Sequence, residues 1–213
     1  MSQPIVFGAA YSVYVRTVRL TLAEKNVPYR LVEVDVFSEG GPPPDYLLRH
    51  PFGRIPAFEH DGFQIYETDA IVRYIDETFD GPSLIPDTPR SRARMTQAMR
   101  ILDCYAYPSM VWGVYVEQVD APQEGRETNS VRLDEAIGRS RTCLRALERL
   151  MDGGPFLFGY TPCLADLHAV PMFAYFRLAP KGRQLLDEQP RLKSWLEHML
   201  ARPSIAEIDD AGS

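Results

Sequence analysis

The sequence predicts an α/β domain followed by an all-α domain. Up to about residue 79, short β-prone runs alternate with amphipathic helical patterns. Residues 80–90 read DGPSLIPDTPR, with three prolines and one glycine, a composition typical of a linker. Beyond this segment β-prone runs nearly vanish and helical periodicity dominates. We therefore expect domains at residues 1–80 and 90–213 with a linker at 81–89, and a length of 213 residues suits two small domains.

The first half of the α/β domain has the pattern of a β-α-β unit. Ile5–Phe7 is a β-prone run, and a glycine-containing bend follows it. Apolar residues then recur at helical spacing after Ser12, which occupies the position of an N-cap, and this pattern ends near Asn26. Residues 29–36 are β-rich and form the second predicted strand. A strand, a helix and a strand in this order indicate a right-handed parallel pair.

The second half of the α/β domain has a β-β-α pattern. Two β-prone runs, at residues 57–59 and Phe63–Tyr66, flank the dipeptide Asp61-Gly62, which favours a hairpin turn. A helical pattern then opens at Glu67 or Thr68. The complete order, βαβ-ββα, predicts a small α/β sandwich.

Helical patterns account for most of the remaining chain, and it contains no internal repeat. They cover residues 90–119, 130–151, 164–176 and 191–200. The second domain is therefore predicted to be all-α.

Charge and hydropathy exclude several classes of protein. A net charge of −6 and a pI of about 5.3 leave no basic footprint, which argues against nucleic acid as a ligand. The longest apolar run, about residues 110–116, is far shorter than the roughly 18 residues that a membrane span needs. The N-terminus lacks the pattern of a signal peptide. We expect a cytoplasmic protein without membrane contact.

The cysteines support the same compartment. Cys104, Cys143 and Cys163 are few and widely spaced, as expected for a reducing environment. There is no CxxC motif, so the first domain has no dithiol redox centre. The histidines and cysteines lack zinc-like spacing, and no metal is expected.

Four ordered motifs identify a family. They are FGAAYS at residues 7–12, RLTLAEK at 19–25, PFGRIPAF at 51–58 and ETDAI at 67–71. Followed by a helical half, they resemble the serine-type cytosolic glutathione transferases, with N-terminal motifs similar to phi-class and bacterial members. The resemblance implies a thioredoxin-like domain joined to a helical domain, paired as a homodimer. It also implies detoxification chemistry with glutathione as co-substrate and an apolar electrophilic small molecule as second substrate.

Ser12 is the predicted catalytic residue. A thiol reacts as its thiolate, and an unperturbed thiol has a pKa of about 8.5. A hydroxyl that donates to sulfur at a helix N-terminus favours the charged form, and the resemblance assigns this hydroxyl to Ser12. The alternative is a plain helix cap, since serine is preferred there. Tyr11 and Tyr14 are rival hydroxyl groups.

Ile55 and Pro56 are predicted to hold the backbone of glutathione. The resemblance implies a cis peptide bond between them, which would present the Ile55 backbone as a strand edge for the cysteinyl residue of glutathione. The alternative is an ordinary proline that ends a loop.

Glu67 and Thr68 are predicted to bind the γ-glutamyl group. A hydroxyl and free amides at a helix N-terminus suit its carboxylate, and Glu67 suits its ammonium. The alternative is a helix start in which Asp69 complements the dipole, and both interpretations are compatible. The loop after the second strand carries no cation, so Arg54 and His50 are the candidates for the glycyl carboxylate.

The helical half contributes further candidates. The resemblance places Tyr107, Met110 and Tyr115, with Tyr11 and Tyr14, around the electrophile, although aromatic residues and methionine at helical spacing also form cores. Asp103 is a candidate for the partner subunit's γ-glutamyl site. Near Cys163 the family has a hydroxyl residue as helix cap and an acidic residue three positions later. This chain has Cys163 in place of the hydroxyl residue and retains the acid, Asp166. We interpret this motif as one that serves folding and not catalysis.

The predicted activity is conjugation of the glutathione thiolate to an apolar electrophile. One alternative is a non-catalytic glutathione-transferase-like binding or interaction module. Another is a glutathione-dependent isomerase, dehalogenase or peroxidase, although isomerases of this fold carry a Ser-Cys pair where this chain has Ser12-Val13.

Overall fold

A mixed sheet of four strands forms the centre of the first domain. The structure, a computed structural model, describes residues 2–210, so the ends of the predicted domain ranges at 1 and 213 lie outside the described residues. The strands are β1 (Ile5–Phe7), β2 (Arg30–Val32), β3 (Ala57–His60) and β4 (Phe63–Tyr66), in the spatial order β2-β1-β3-β4. β1 pairs parallel with β2 and antiparallel with β3, and β3 pairs antiparallel with β4. The βαβ-ββα prediction is confirmed.

The register of the sheet places the predicted site at one end of the strands. Phe7 lies beside Val32 on one side and beside Ala57 on the other, and Ala57 lies beside Tyr66. The bend after β1, the residues before β3 and the residues after β4 therefore all lie at the same end of the strands.

Two helices pack with this sheet. Helix α1 (Val13–Glu24) buries Val15, Val18 and Leu22 at the spacing that the sequence predicts, and α2 (Thr68–Thr78) buries Ile71, Val72 and Ile75. Asp61 and Gly62 both have positive φ angles, of 50° and 80°, as a tight hairpin turn requires.

β2 is shorter than predicted. It ends at Val32 rather than near residue 36, because β1 offers only three residues for pairing. The chain beyond β2 instead packs Val34 against Phe7, Tyr46 and Ala57 in a small buried cluster. A β-prone sequence without a partner strand does not form a ladder.

The rest of the chain is helical. Its helices are α3 (Pro89–Ile101), a π-helical segment (Leu102–Asp120), α4 (Ala121–Gln123), α5 (Ser130–Leu150), α6 (Leu164–Phe176), α7 (Pro180–Asp187), α8 (Pro190–Leu200) and α9 (Pro203–Asp210). The short helices α7 and α9 were not predicted. Each has eight residues, which is too few for a clear helical period, and only a proline at the start marks them. Among the described residues, no helix is long and apolar enough to cross a membrane.

Contacts divide the described chain into two units, and the division differs from the predicted domains at one point. The boundary after Ile85 falls inside the predicted linker, but residues 203–210 belong to the first unit. The physical reason is burial of α9 on the first unit: Ile205 and Ile208 are buried, and Arg19 donates to the Ile208 carbonyl at 2.9 Å. The predicted helical domain therefore loses its last helix to the α/β unit.

Candidate active site

The predicted glutathione-binding segments meet at the end of the strands where Phe7 and Ala57 lie. Gly8 shows how closely they approach, because a Cβ atom at this position would lie 3.1 Å from the Ile55 Cβ and 2.4 Å from Val15 Cγ2. The φ of Gly8 is +152°, which also favours glycine. The bend that leads to Ser12 and the segment that contains Ile55 are therefore in direct contact.

Ser12 is the N-cap of α1, but its hydroxyl does not cap the helix. Its backbone is extended (φ −63°, ψ 129°), and its carbonyl accepts the first helical hydrogen bond, from the Arg16 amide at 2.9 Å. Within residues 2–210 its side chain makes no capping hydrogen bond. The half-buried hydroxyl thus remains available to a ligand at the positive end of the helix dipole.

The hydroxyl of Tyr11 is occupied. It donates to Asp35 Oδ1 at 2.8 Å, and the same oxygen accepts from the Phe37 amide at 2.9 Å. This bond ties the bend after β1 to the loop after β2. No local sequence pattern marks Asp35 as a partner, because only the parallel pairing of β1 and β2 brings it to Tyr11. Tyr14 is half-buried on α1.

Ile55 and Pro56 precede β3. The peptide bond between them is cis, as the resemblance implies. Pro56 is buried and Ile55 half-buried, and the Ile55 amide and carbonyl have no hydrogen bond within the described chain. The preceding loop is held by the Tyr46 hydroxyl, which donates to the Arg54 carbonyl at 2.6 Å. The Arg54 side chain is exposed.

Glu67 has a strained backbone at the start of α2. Its φ is +73° and its ψ 118°, in a region that residues with a Cβ rarely adopt. Such a conformation costs about 1–3 kcal/mol, and residues of this kind cluster at functional sites. The next residue, Thr68, is buried, and the first turn of α2 offers amides that have no acceptor inside the helix.

His50 is a packing residue and not a surface cation. Its side chain is buried, its ring centroid lies 4.8 Å from that of Tyr66, and its Nδ1 has no hydrogen-bond partner among the described residues. Burial lowers the pKa of His50, while the charge of Glu67 opposes this shift and that of Arg54 adds to it. The prediction that His50 offers a charge to the glycyl carboxylate is therefore not supported, and Arg54 remains the exposed cation of this segment.

The predicted pocket residues of the helical unit have different surroundings. Met110 is fully buried and belongs to the core, so its assignment to the electrophile pocket is corrected. Tyr107 is half-buried, with its ring 6.5 Å from that of Trp112 in an edge-to-face arrangement. Tyr115 is also half-buried, 4.8 Å from the Tyr175 ring, and burial raises its pKa.

Asp103 has two partners within its own chain. Its Oδ1 lies 2.6 Å from Nε2 of the buried His168, and its Oδ2 lies 3.3 Å from an Arg100 guanidinium nitrogen. No local sequence pattern points to His168 in this role, because the two residues are 65 positions apart and only the packing of the helices joins them.

The helical unit contains a groove that the sequence analysis did not predict. It has a volume of about 470 Å³ and lies along the π-helical segment and α5, lined by Ile101, Cys104, Tyr105, Pro108, Ser109, Arg139, Thr142, Cys143 and Ala146. None of the predicted pocket residues lines it. The sequence does carry a signal for this groove: residues 101, 104, 105 and 108 are spaced so that they share one face of a helix.

Comparisons with known proteins agree with this fold. Residues 6–83 match the family model for the glutathione S-transferase N-terminal domain, and residues 130–198 match that for the C-terminal domain. Glutathione S-transferase F6 of Arabidopsis thaliana is 30% identical over 95% of this chain and 97% of its own length. Probable glutathione S-transferase GSTF1 of Oryza sativa subsp. japonica is 30% identical, with coverages of 95% and 94%.

Solved structures give the same result. Apo glutathione S-transferase III superposes with a TM-score of 0.86 at 26% identity, covering 99% of this chain and 97% of that chain. Glutathione transferase F7 from Populus trichocarpa superposes with a TM-score of 0.84 at 27% identity, covering 99% of both. The chain belongs to the glutathione S-transferase family. The predicted fold, a thioredoxin-like domain with a helical domain, and the predicted enzyme class are confirmed.

Proposed function

We propose that the protein conjugates glutathione to an apolar electrophile and that Ser12 stabilises the thiolate. The observation that carries this assignment is the hydroxyl of Ser12. It lies at the N-terminus of α1, makes no capping hydrogen bond, and belongs to the bend that contacts Ile55.

The remaining segments at this end of the strands suit the other parts of glutathione. The unpaired amide and carbonyl of Ile55 match the cysteinyl backbone, in the manner of an added β-strand. Thr68 and the first amides of α2 suit the γ-glutamyl carboxylate, and the exposed Glu67 suits its ammonium group. The strain at Glu67 is the expected result of a backbone shaped for a ligand. Arg54 is the cation for the glycyl carboxylate.

The chemistry requires a lower pKa of the glutathione thiol. Each unit of depression corresponds to about 1.4 kcal/mol of preference for the thiolate. A hydrogen bond from the Ser12 hydroxyl and the dipole of α1 both favour the anion. The thiolate then attacks an electrophilic carbon or sulfur of the second substrate, and the leaving group departs with its electron pair.

The second substrate is an apolar compound, with the aromatic residues Tyr11, Tyr14, Tyr107 and Tyr115 as its proposed contacts. Two copies of the chain form a homodimer in the cytoplasm, as the family membership suggests. Asp103 is proposed to reach the partner subunit's γ-glutamyl site, and its bonds to His168 and Arg100 would orient the carboxylate for this contact.

The test is the pH titration of bound glutathione in Ser12→Ala. Thiolate absorbance of the complex gives the pKa of the thiol, and conjugation of 1-chloro-2,4-dinitrobenzene gives turnover. We expect the thiol pKa to rise towards about 8.5 and kcat/KM at pH 6.5 to fall about 10- to 100-fold, since a hydrogen bond to a charged group contributes about 1.5–3 kcal/mol.

Tyr11→Phe and Tyr14→Phe are the matched controls, since each removes one nearby hydroxyl. Unchanged turnover in Ser12→Ala with a loss in either tyrosine variant would transfer the role to that tyrosine. Binding of glutathione by the wild-type protein without conjugation of any electrophile would instead favour the non-catalytic module.

A further inference from the structure

Asp35 holds the bend that carries Ser12. The Tyr11 hydroxyl donates to Asp35 Oδ1 at 2.8 Å, and Tyr11 directly precedes Ser12 in the chain. The Ser12 amide donates to the Ala9 carbonyl at 3.0 Å, which closes a tight turn just before α1. The hydrogen bond to Asp35 therefore fixes this turn at the residue next to the proposed catalytic hydroxyl.

The other attachment of the bend to the β2 side lies further from Ser12. The Gly8 amide donates to the Val32 carbonyl at 3.0 Å and so continues the parallel pairing of β1 with β2. This bond fixes the start of the bend, four positions before Ser12. The end of the bend, where Ser12 lies, is held by the bond between Tyr11 and Asp35.

The carboxylate of Asp35 is itself held in place. Its Oδ1 also accepts from the Phe37 amide at 2.9 Å, and the Asp35 carbonyl accepts from the Ser38 hydroxyl at 2.9 Å. The residues on both sides belong to the core, because Val34 is buried in the cluster described above and Val36 packs against it. The loop thus presents a carboxylate whose orientation is set by its own contacts.

The same cluster supports the proposed partner of the glutathione backbone. Ile55 packs against it, as Val36 does. Asp35 therefore joins the two parts of the site that must meet at one sulfur atom, the hydroxyl of Ser12 and the backbone of Ile55. Groups of this kind have to be held within about 0.5 Å of the productive geometry.

The bond to Asp35 also defines what Tyr11 does. A tyrosine hydroxyl has one proton, and that of Tyr11 is donated to the carboxylate, so it is not donated to sulfur. The side chain of Tyr11 is 47% exposed, so much of its ring lacks packing partners that could hold the bend. A hydrogen bond to a charged group is stronger than one between neutral groups, and Tyr11 is therefore a link between Asp35 and Ser12.

We propose that Asp35 is a positioning residue for the conjugation, which holds the Ser12 hydroxyl, through Tyr11, at the sulfur of glutathione. This role rests on the proposed function of Ser12. Asp35 acts through position and not through charge, because a negative charge near the sulfur would disfavour the thiolate. The two effects have opposite signs: loss of the charge alone lowers the thiol pKa of bound glutathione, whereas loss of the position raises it.

The test is the thiol pKa of glutathione in saturated complexes of Asp35→Ala and Tyr11→Phe, measured by thiolate absorbance. We expect each substitution to raise this pKa by about 0.5–1 unit and to lower kcat/KM for 1-chloro-2,4-dinitrobenzene at pH 6.5 by up to about 10-fold, because less thiol is ionised. Asp35→Asn keeps an oxygen that accepts from Tyr11 and should retain kcat/KM within about twofold. A lowered pKa in both Asp35 variants would indicate a charge effect and overturn the proposal.

Two double variants show through which residue Asp35 acts. Tyr11→Phe/Asp35→Ala should have the thiol pKa of Asp35→Ala, because both substitutions remove the same hydrogen bond. Ser12→Ala/Asp35→Ala should have the thiol pKa of Ser12→Ala. A further rise in this second double variant would overturn the proposal, since Asp35 would then act without Ser12. A rise in Tyr11→Phe that persists in the Ser12→Ala background would also overturn it and would assign the donor to Tyr11.

Glu33→Ala and Tyr160→Phe are the controls. Glu33 is an exposed acid two positions before Asp35, and Tyr160 is an exposed tyrosine of the helical unit, so both variants should keep the wild-type thiol pKa. If Asp35→Ala does not fold, Tyr11→Phe decides, since it leaves the other contacts of Asp35 in place. A raised pKa in Ser12→Ala with wild-type values in Asp35→Ala and Tyr11→Phe would overturn the positioning role alone. A wild-type pKa in Ser12→Ala would overturn the proposed function as well.

Discussion

Ser12 has two separate roles, one for its backbone at the start of α1 and one for its side-chain hydroxyl. Serine is a preferred N-cap because its oxygen can accept an amide hydrogen bond of the first turn. In this structure Ser12 has the extended backbone of a cap but lacks the side-chain hydrogen bond. The helix start is thus defined by backbone geometry while the hydroxyl is left for a ligand, so the two interpretations of the sequence describe different atoms of one residue.

His50 makes the stability of the protein sensitive to acid. Burial lowers its pKa below the usual 6.5, so the unfolded chain takes up a proton at a higher pH than the folded chain does. The contribution of this histidine is present above about pH 6.5 and is lost as the pH falls towards the lowered pKa. We expect the free energy of unfolding to drop between pH 6.5 and 5.5 by less in His50→Asn than in the wild type.

Urea titrations at half-unit pH steps would measure this difference. His198→Asn, at an exposed position of α8, is the control for the general effect of replacing a histidine by asparagine. An identical slope in the wild type and His50→Asn would contradict the assignment.

At the level of secondary-structure elements, Gly8 sets the distance between α1 and the segment before β3. Gly8→Ala would bring a Cβ within 2.4 Å of Val15 Cγ2 at a φ that disfavours alanine. We expect a loss of about 1–3 kcal/mol in the free energy of unfolding, together with weaker glutathione binding, since Ile55 would be displaced. Chemical denaturation and calorimetry would measure the two effects.

Gly138→Ala is the matched control for this substitution. Gly138 lies inside α5, and an added Cβ there meets nothing within 4 Å. Alanine should stabilise this helix by about 0.5–1 kcal/mol. Tighter or unchanged glutathione binding in Gly8→Ala would show that the close approach does not position Ile55.

Asp166 organises the start of α6 and joins it to α8. Its Oδ1 accepts from the Leu157 amide and from Trp195 Nε1, each at 2.8 Å, and its Oδ2 accepts from the Cys163 amide at 2.9 Å. Burial raises the pKa of Asp166, although these hydrogen bonds favour the carboxylate. The prediction that this acid serves folding agrees with a fully buried side chain that accepts hydrogen bonds from three residues.

Asp166→Ala should lower the free energy of unfolding by about 3 kcal/mol or more, because it leaves buried donors without acceptors. Asp166→Asn retains one acceptor oxygen and should cost less. The exposed Asp134→Asn in α5 serves as the control, with a change within about 0.5 kcal/mol. Equal stability of Asp166→Ala and the wild type in urea unfolding would exclude this role.

For the molecule as a whole, the helix α9 near the end of the chain belongs to the first unit. Ile208 is 1% exposed, so Ile208→Ala should destabilise the first unit by about 2–4 kcal/mol. Amide hydrogen exchange should accelerate in β1 and β3, although these strands lie far from residue 208 in sequence. Acceleration in α5 and α6 with unchanged exchange in β1 and β3 would contradict the assignment. Val131→Ala, at an exposed position of α5, is the control.

Local patterns predicted most of the architecture. The strand at Ile5–Phe7, the hairpin turn at Asp61-Gly62, and the helices after Ser12 and Cys163 all begin or end close to their predicted residues. In each case the signal is short-range: an apolar period, a turn dipeptide or a capping position. The serine, the Ile-Pro segment and the Glu-Thr pair were found in the same way, as motifs with a family resemblance.

By itself, the sequence determined the two fold classes, the linker and the residue types at the candidate site, because these depend on contacts between residues close together along the chain. Only the tertiary structure decided the length of β2, the return of α9 to the first unit, and the pairing of Tyr11 with Asp35 and of Asp103 with His168. It also decided that Met110 and His50 are buried. These outcomes depend on which distant surfaces pack together, and a hydrophobic period or a polar side chain carries no information about its partner.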